Sequence, residues 1–339
     1  MKEIECIFCG TKNDLASGEG SYDRVAIEEN GYQGRKCDRC GLIYISPRPS
    51  LDKIIDLYGH DDAHISADAH IASDYLKRLY ARHHLEIVHS FVRDGALLEI
   101  GAGAGYFLDE ARKMGFEPYG LEFNPVQANF MRNDLKIPCE ESPVDELIFG
   151  GKKFDIVYHC DVISHLFDPI GDFKKINKVM KDDALLVFET GNLGDVDRNY
   201  FKNIKRFQYP DHLFFFSTAN LVELLEKTDF QLVKIYRYSI LPQLLAQKAF
   251  LTIRNLIKQP LSNRKQKTNL ANTSKPKNVS SSNSSSVKTK TNKSAIVKSL
   301  SNGYKYFNYL LRYQVGKIVP KSKRPQTLIV VAKKKKPKN

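Results

Sequence analysis

The sequence predicts an α/β protein built on a mostly parallel sheet, and three observations carry that expectation. Short apolar runs suited to buried parallel strands recur at 96–100 (ALLEI), 154–159 (FDIVYH) and 184–189 (ALLVFE). Stretches of helical periodicity separate them, as crossover connections between parallel strands require. A glycine turn, Gly101, Gly103 and Gly105, directly follows the first run. There the backbone turns tightly and a helix N-terminus is available for a ligand's polar end.

At the N-terminus Cys6-x-x-Cys9-Gly10 and Cys37-x-x-Cys40-Gly41 have the form of two zinc knuckles, with 27 residues between them for a hairpin and a long loop. Four thiolates with no open position describe a structural zinc site; two disulfides or four buried thiols are the alternatives. Cys139 and Cys160 are single, Cys160 ending a strand beside the expected site. Residues 42–58 read as an exit strand, a proline turn and a short helix. The polar stretch 59–70 gathers His60, Asp61, Asp62, His64 and His70, and reads as a lid or as a divalent-metal loop. A helix over 74–91 then feeds the first core strand, with His83, His84 and His89 expected on its solvated face.

Glu99 stands two residues before the first glycine, where an acid accepts hydrogen bonds from an amine. From Tyr106 a helix is expected to run to a stop at Gly115. The next strand, 118–123 (PYGLEF), ends in Glu122, 21 residues after Gly101 and placed for ribose hydroxyls. Glycine turn and acid are shared with dinucleotide sites, so the downstream sequence has to discriminate.

Together LLEIGAGAG, GLEFN, FDIVYHCDVISHL and LLVFETGN resemble the class I S-adenosylmethionine-dependent methyltransferases, over residues 75–238 plus one late strand. The resemblance implies a Rossmann-like seven-stranded sheet. It implies that Gly101, Gly103 and Gly105 frame the methionine moiety, that Glu122 holds the ribose and that Phe123 lies against the adenine. One of Glu141, Ser142 and Val144 is implied at the adenine amine, and Glu99 and Cys160 border the same site. Tyr209-Pro-Asp211-His212-Leu213, followed by aromatics and Ser217, resembles a segment of methyltransferases acting on nucleotide-linked deoxysugars, which also carry a four-cysteine zinc module. Two departures are visible: a shorter linker between the cysteine pairs and no large C-terminal domain.

Methyl transfer to a hydroxyl or a carbon acid needs a proton acceptor, and histidine is the side chain suited to it near neutral pH. His212 is the first candidate, with Asp211 or Tyr209 orienting it, and His165 is the second, expected on the opposite wall. His159, inside a strand, reads as packing. A sugar, nucleotide sugar or glycan precursor is the expected acceptor. An RNA methyltransferase and a non-catalytic cofactor-binding scaffold are the alternatives.

Charge is strongly segregated. Residues 230–339 carry 25 Lys and Arg and no acid, leaving 27 basic against 39 acidic residues before them. Runs at 230–238 and 327–332 read as strands, and the resemblance implies that they form a terminal antiparallel hairpin with 239–326 inserted between them. The insertion starts and ends in amphipathic helices (239–258 and 295–319) and holds a Ser/Asn/Lys/Thr-rich stretch at 260–294 expected to be disordered. The helices lie on an anionic membrane surface, bind RNA, or pack on the core; the sequence leaves all three open. The expected organisation is a zinc module (1–50), a lid and leading helices (51–95), a methyltransferase core (96–238), the basic insertion (239–326) and a last strand with a Lys-rich tail (327–339). The N-terminus lacks an apolar leader and no run of 18 apolar residues occurs, so a cytoplasmic location is expected.

Overall fold

A four-stranded and a seven-stranded sheet carry the described strands. The computed structural model describes residues 2–10, 24–54, 66–204, 207–252, 299, 301–318 and 323–336. Strands β1 (Arg24–Glu29), β2 (Tyr32–Lys36) and β3 (Ile43–Ile45) make an antiparallel meander. Two helices follow, α1 (Ala67–Ala72) and α2 (Asp74–His89). The core then runs β4 (Gly95–Ile100), α3 (Tyr106–Lys113), β5 (Phe116–Leu121), α4 (Pro125–Asn133), β6 (Cys139–Glu140), β7 (Phe154–Cys160), α5 (Pro169–Val179) and β8 (Met180–Gly191). Strand β9 (Phe214–Phe215) returns to the small sheet, pairing Ile43 with Phe215 and Tyr44 with Phe214. Helix α6 (Thr218–Lys227), β10 (Phe230–Ser239) and β11 (Gln326–Lys334) complete the large sheet, in the order β10-β11-β8-β7-β4-β5-β6.

Pairing is parallel from β6 through β8, and β11 is antiparallel to both of its neighbours. β11 reads QTLIVVAKK because a strand flanked on both edges and both faces has no solvated side; its first seven residues are buried. The pleat sends Leu97, Ile156, Leu185 and Ile329 to the face covered by α2 and α3. Leu98, Val157, Leu186 and Leu328 go to the other face, with Ile176 of α5 and Leu221 of α6. Each of these side chains contributes about 1.5–3 kcal/mol by burial. Helix starts are written locally: Asn124 accepts from Val126 and Gln127 N–H ahead of Pro125, and Ser217 and Asn220 form a capping box.

Some expectations need correction. The strand expected at 184–189 extends over Met180–Gly191, and the one at 118–123 lies at Phe116–Leu121. His83, His84 and His89 are not a solvated face. His84 is 1% exposed and shares the buried stripe of α2 with Ala81, Leu85 and Val88. Its imidazole is accommodated because the sheet presents polar partners there, Tyr158 and Glu189. His83 is half-buried and its burial lowers its pKa to about 4. His89 packs edge-on against Phe116. The expected helices of the last third are present at 241–252 and 301–309, the latter running into a π-helical turn at Leu310–Val315. The histidine- and aspartate-rich part of the lid at 59–65 and the stretch 260–294 lie outside the described residues.

Candidate functional site

The glycine turn closes over the C-terminal ends of β4 and β5. All three glycines have positive φ, and a Cβ at Gly101 would come within 2.8 Å of Val162 Cγ2, while one at Gly105 would meet Met131 Cγ at 2.7 Å. Only glycine fits both the conformation and the space. Glu122, one residue past β5, accepts from the Gly103 N–H at 2.6 Å and the Asn124 N–H at 2.8 Å. Burial nevertheless raises its pKa, the two amides opposing the shift. Glu99 is 5% exposed, its Oε2 has no hydrogen-bond partner among the described residues, and burial pushes its pKa well up. A buried acceptor left in that state is a place for a ligand's donor.

Lys77 of α2 completes this cleft. Its Nζ lies 2.6 Å from His70 Nδ1 and 3.7 Å from where a Gly103 Cβ would stand, and burial lowers its pKa against the pull of Glu99, Cys160 and Glu122. Of the residues expected near an adenine, Phe123 is 62% exposed, Ser142 Oγ is buried with no hydrogen-bond partner among the described residues, Glu141 pairs with Arg132, and Val144 is buried. An open aromatic face, an unsatisfied carboxylate and a side-chain-free turn fit a cofactor with an adenine at one end and an amino acid at the other.

The second half of the site lies beyond β7 and β8. Cys160 ends the β7 strand and Asp161 follows it, and burial, with Glu189 close by, pushes the Asp161 carboxyl up to about 6. Asp161, Ser164, Thr190, His212, Phe207 and Phe215 are among the walls of a cavity of about 230 Å³. Backbone N–H groups of Leu213 and Phe214 donate to Ser164 O, stitching the 162–165 loop to the segment before β9. This stitching corrects the expectation of opposite walls: the His165 and His212 rings are 4.5 Å apart, centroid to centroid. Asp211 Oδ1 lies 2.9 Å from His165 Nδ1, so the buried carboxylate engages His165 rather than serving His212 alone. An ionised carboxylate only accepts, so this contact pairs an ionised Asp211 with the Nδ1–H tautomer of His165. Tyr209 is 3% exposed and packed beside Gly34, outside the cavity lining. His159 is buried and stacked on Phe188.

A buried ionic cluster stands next to Cys160. Glu189 near the end of β8 meets Arg312 Nη2, Tyr313 Oη at 2.8 Å and His84 Nε2 at 2.8 Å. Burial alone would raise the Glu189 pKa, but Arg312, His84 and Tyr313 hold it down to about 2. Arg312 and Tyr313 come from the π-helical turn, so the basic last third supplies part of the wall behind the site.

The four N-terminal cysteines converge. Their sulfurs all lie within 4.8 Å of one another, Cys6 and Cys40 at 3.4 Å, and none is in a disulfide. Two like turns build the cluster, Gly10 N–H to Cys6 O and Gly41 N–H to Cys37 O, both glycines at positive φ. Zn–S bonds of about 2.3 Å in a tetrahedron put sulfurs roughly 3.8 Å apart, so the donor set fits a tetrathiolate metal. The cluster is tied to the site: Asn220 of α6 donates to Cys40 O, and β3 pairs with β9 just after His212.

Residues 72–235 match the family described as a methyltransferase domain. The fold is a Rossmann-like α/β methyltransferase fold with a seven-stranded, mostly parallel sheet. Ubiquinone biosynthesis O-methyltransferase of Cereibacter sphaeroides is 25% identical over 101 residues, 28% of this chain and 41% of that protein. The tRNA U34 carboxymethyltransferase of Aliarcobacter butzleri is 23% identical over 158 residues, 44% of this chain and 51% of the relative. Among solved structures, a Haemonchus contortus phosphoethanolamine N-methyltransferase complexed with S-adenosylhomocysteine aligns with a TM-score of 0.42 at 17% identity, over 75% of this chain and 53% of that one. The chain spans about two fifths of the length of the first curated relatives it matches.

Within the matched residues 72–235, sequence reading missed Lys77, Asp161 and Glu189, and beyond them Arg312 and Tyr313. A lysine among helix charges carries no local mark. Asp161 alone had a signal available, directly following the β7 strand next to Cys160.

Proposed function

We propose that this protein transfers a methyl group from S-adenosylmethionine to a small-molecule acceptor, with a structural zinc on Cys6, Cys9, Cys37 and Cys40. The observation that carries this reading is the sheet itself: a parallel core closed by an antiparallel β10–β11 hairpin, with the glycine turn and Glu122 where the strand order reverses. When bound, the cofactor supplies an electrophilic methyl on a sulfonium. Glu122 would take the ribose hydroxyls, Glu99 the amino group, and Lys77 would offset their charge. His165 Nε2, with Nδ1 held by Asp211, would remove the acceptor's proton. His212, on the cavity wall, would contact the acceptor.

A sugar, nucleotide sugar or glycan precursor is the acceptor class we favour. It is supported by the Tyr209–His212 segment, which is followed at once by the strand that joins the cysteine module's sheet. A second reading, methyl transfer to RNA, is favoured by the 25 Lys and Arg after residue 229. Comparing metabolite and RNA fractions from a knockout strain by mass spectrometry separates the two: a species lacking one methyl group is expected among sugars. Calorimetry with S-adenosylhomocysteine tests the cofactor. Gly103→Val, which puts a β-branched side chain at φ +56 against Gln127, should abolish binding. Tight NAD binding with no S-adenosylhomocysteine binding would overturn the proposal.

A further inference from the structure

The basic last third divides into two parts with different surroundings. Its end is core: Tyr313 is fully buried and Arg312 reaches Glu189, so this part packs on the sheet. The helices ahead of it present large apolar side chains to solvent. Leu245 is 66% exposed, Phe250 52% and Phe307 49%, and Leu251, Tyr304 and Tyr306 are also open. The Phe250 and Tyr304 rings are in tilted contact, centroids 5.6 Å apart, which brings the 241–252 and 301–309 helices together. Among the described residues elsewhere, the exposed large apolar side chains are Val25, Leu51, Phe123, Val126, Leu147, Val233 and Val315, and an isolated exposed apolar side chain is ordinary on a protein surface. A contiguous apolar and aromatic patch marks an interaction site.

We propose that this paired-helix face docks on the surface of an anionic lipid bilayer. Three features select that occupant. The two helices of the patch carry one sign of charge themselves: Lys248 and Lys305 lie on them, and no acid occurs after Asp229. That complements an anionic leaflet and sets the same face of a second copy in like-charge repulsion. The side chains are Phe, Tyr and Leu beside lysines, the mixture that sits at a headgroup boundary with rings inward and ammonium groups in water. The chain's own intervening stretch is a poor cover, since residues 251–303 contain no aromatic and are rich in Ser, Asn and Lys. The proposal stands on this face alone and is independent of the methyl-transfer reading. It gives that reading a substrate class: because the same helix runs on to Arg312 at the wall behind the site, a docked enzyme would meet acceptors carried on lipid.

The full-length chain is tested by co-sedimentation with sucrose-loaded vesicles of phosphatidylcholine alone or mixed with phosphatidylglycerol. Binding about tenfold or more tighter to the anionic vesicles, and weakened by salt, is expected from a cationic interfacial element. Phe250→Ser with Phe307→Ser should reduce that binding about tenfold while melting temperature and S-adenosylhomocysteine affinity hold. The protein has no tryptophan, so Tyr306→Trp is a single reporter whose emission should shift to the blue on anionic vesicles even if the serine variants fold poorly. No sedimentation, sedimentation undiminished in a folded double variant, or no shift would overturn the proposal. So would poly(U) RNA binding that depends on these aromatics while vesicles do not bind.

Discussion

Arg312→Ala would remove the cationic partner of a carboxylate whose side chain is 2% exposed. Breaking a buried ion pair by deleting one member costs about 3–5 kcal/mol, because the remaining charge stays buried. Tyr313 and His84 still reach Glu189 at 2.8 Å each, which argues for the lower end, about 3 kcal/mol. At 2–4 °C per kcal/mol for a domain of this size, the melting temperature should fall by roughly 6–12 °C. The pH dependence gives the cause away. In the parent protein Glu189 is held down to about 2. A depressed carboxylate stabilises above its unfolded pKa, and that stability is lost as pH falls through the folded value. Without Arg312, burial dominates, the carboxyl's pKa rises above its unfolded value, and the sign reverses: the variant gains relative stability as pH falls from neutral towards 5. Urea denaturation followed by far-UV circular dichroism at pH 7.5 and 5.5 measures both effects, and Glu189→Gln with Arg312→Met should recover most of the loss. A deficit below about 1 kcal/mol at pH 7.5, or one that grows on acidification, would refute the assignment of a buried ion pair.

The remaining expectations concern metal, chemistry and capping. Purified protein should hold one zinc per chain by elemental analysis, lost in Cys9→Ser or Cys37→Ser with early melting, since the tetrathiolate is coupled to local folding; a metal-free preparation with unchanged melting would remove zinc from the picture. His165→Ala and Asp211→Asn should each lower kcat, the former ~100-fold or more, with S-adenosylhomocysteine affinity unchanged, whereas His212→Ala should act mainly on the acceptor KM. If His212→Ala alone abolishes kcat and His165→Ala leaves it intact, the proton acceptor is His212. Ser217→Ala, which empties the capping box of α6, should cost about 1 kcal/mol in chemical denaturation.

Much of this molecule is written in short stretches of sequence. The glycine turn, the acid at the end of the second core strand, the Cys-x-x-Cys-Gly turns and the caps at Asn124 and Ser217 each need only a few neighbouring residues, and each is visible as residue type at fixed spacing. Apolar periodicity marked the core strands for the same reason, although their ends were misplaced by several residues because neighbouring strands, not propensity, decide where pairing stops. Tertiary structure decided what depends on distant partners. Lys77 reaches the cleft beside Gly103 only because α2 lies against the glycine turn. His165 and Asp211, 46 residues apart, meet because loop backbones are stitched at Ser164. His84 is buried because Glu189 and Arg312, 123 residues from each other, cancel charge beside it near the end of the interior strand β8. Local sequence carries no record of such pairings: the free energy that places a charge in the interior comes from a partner the chain delivers from elsewhere.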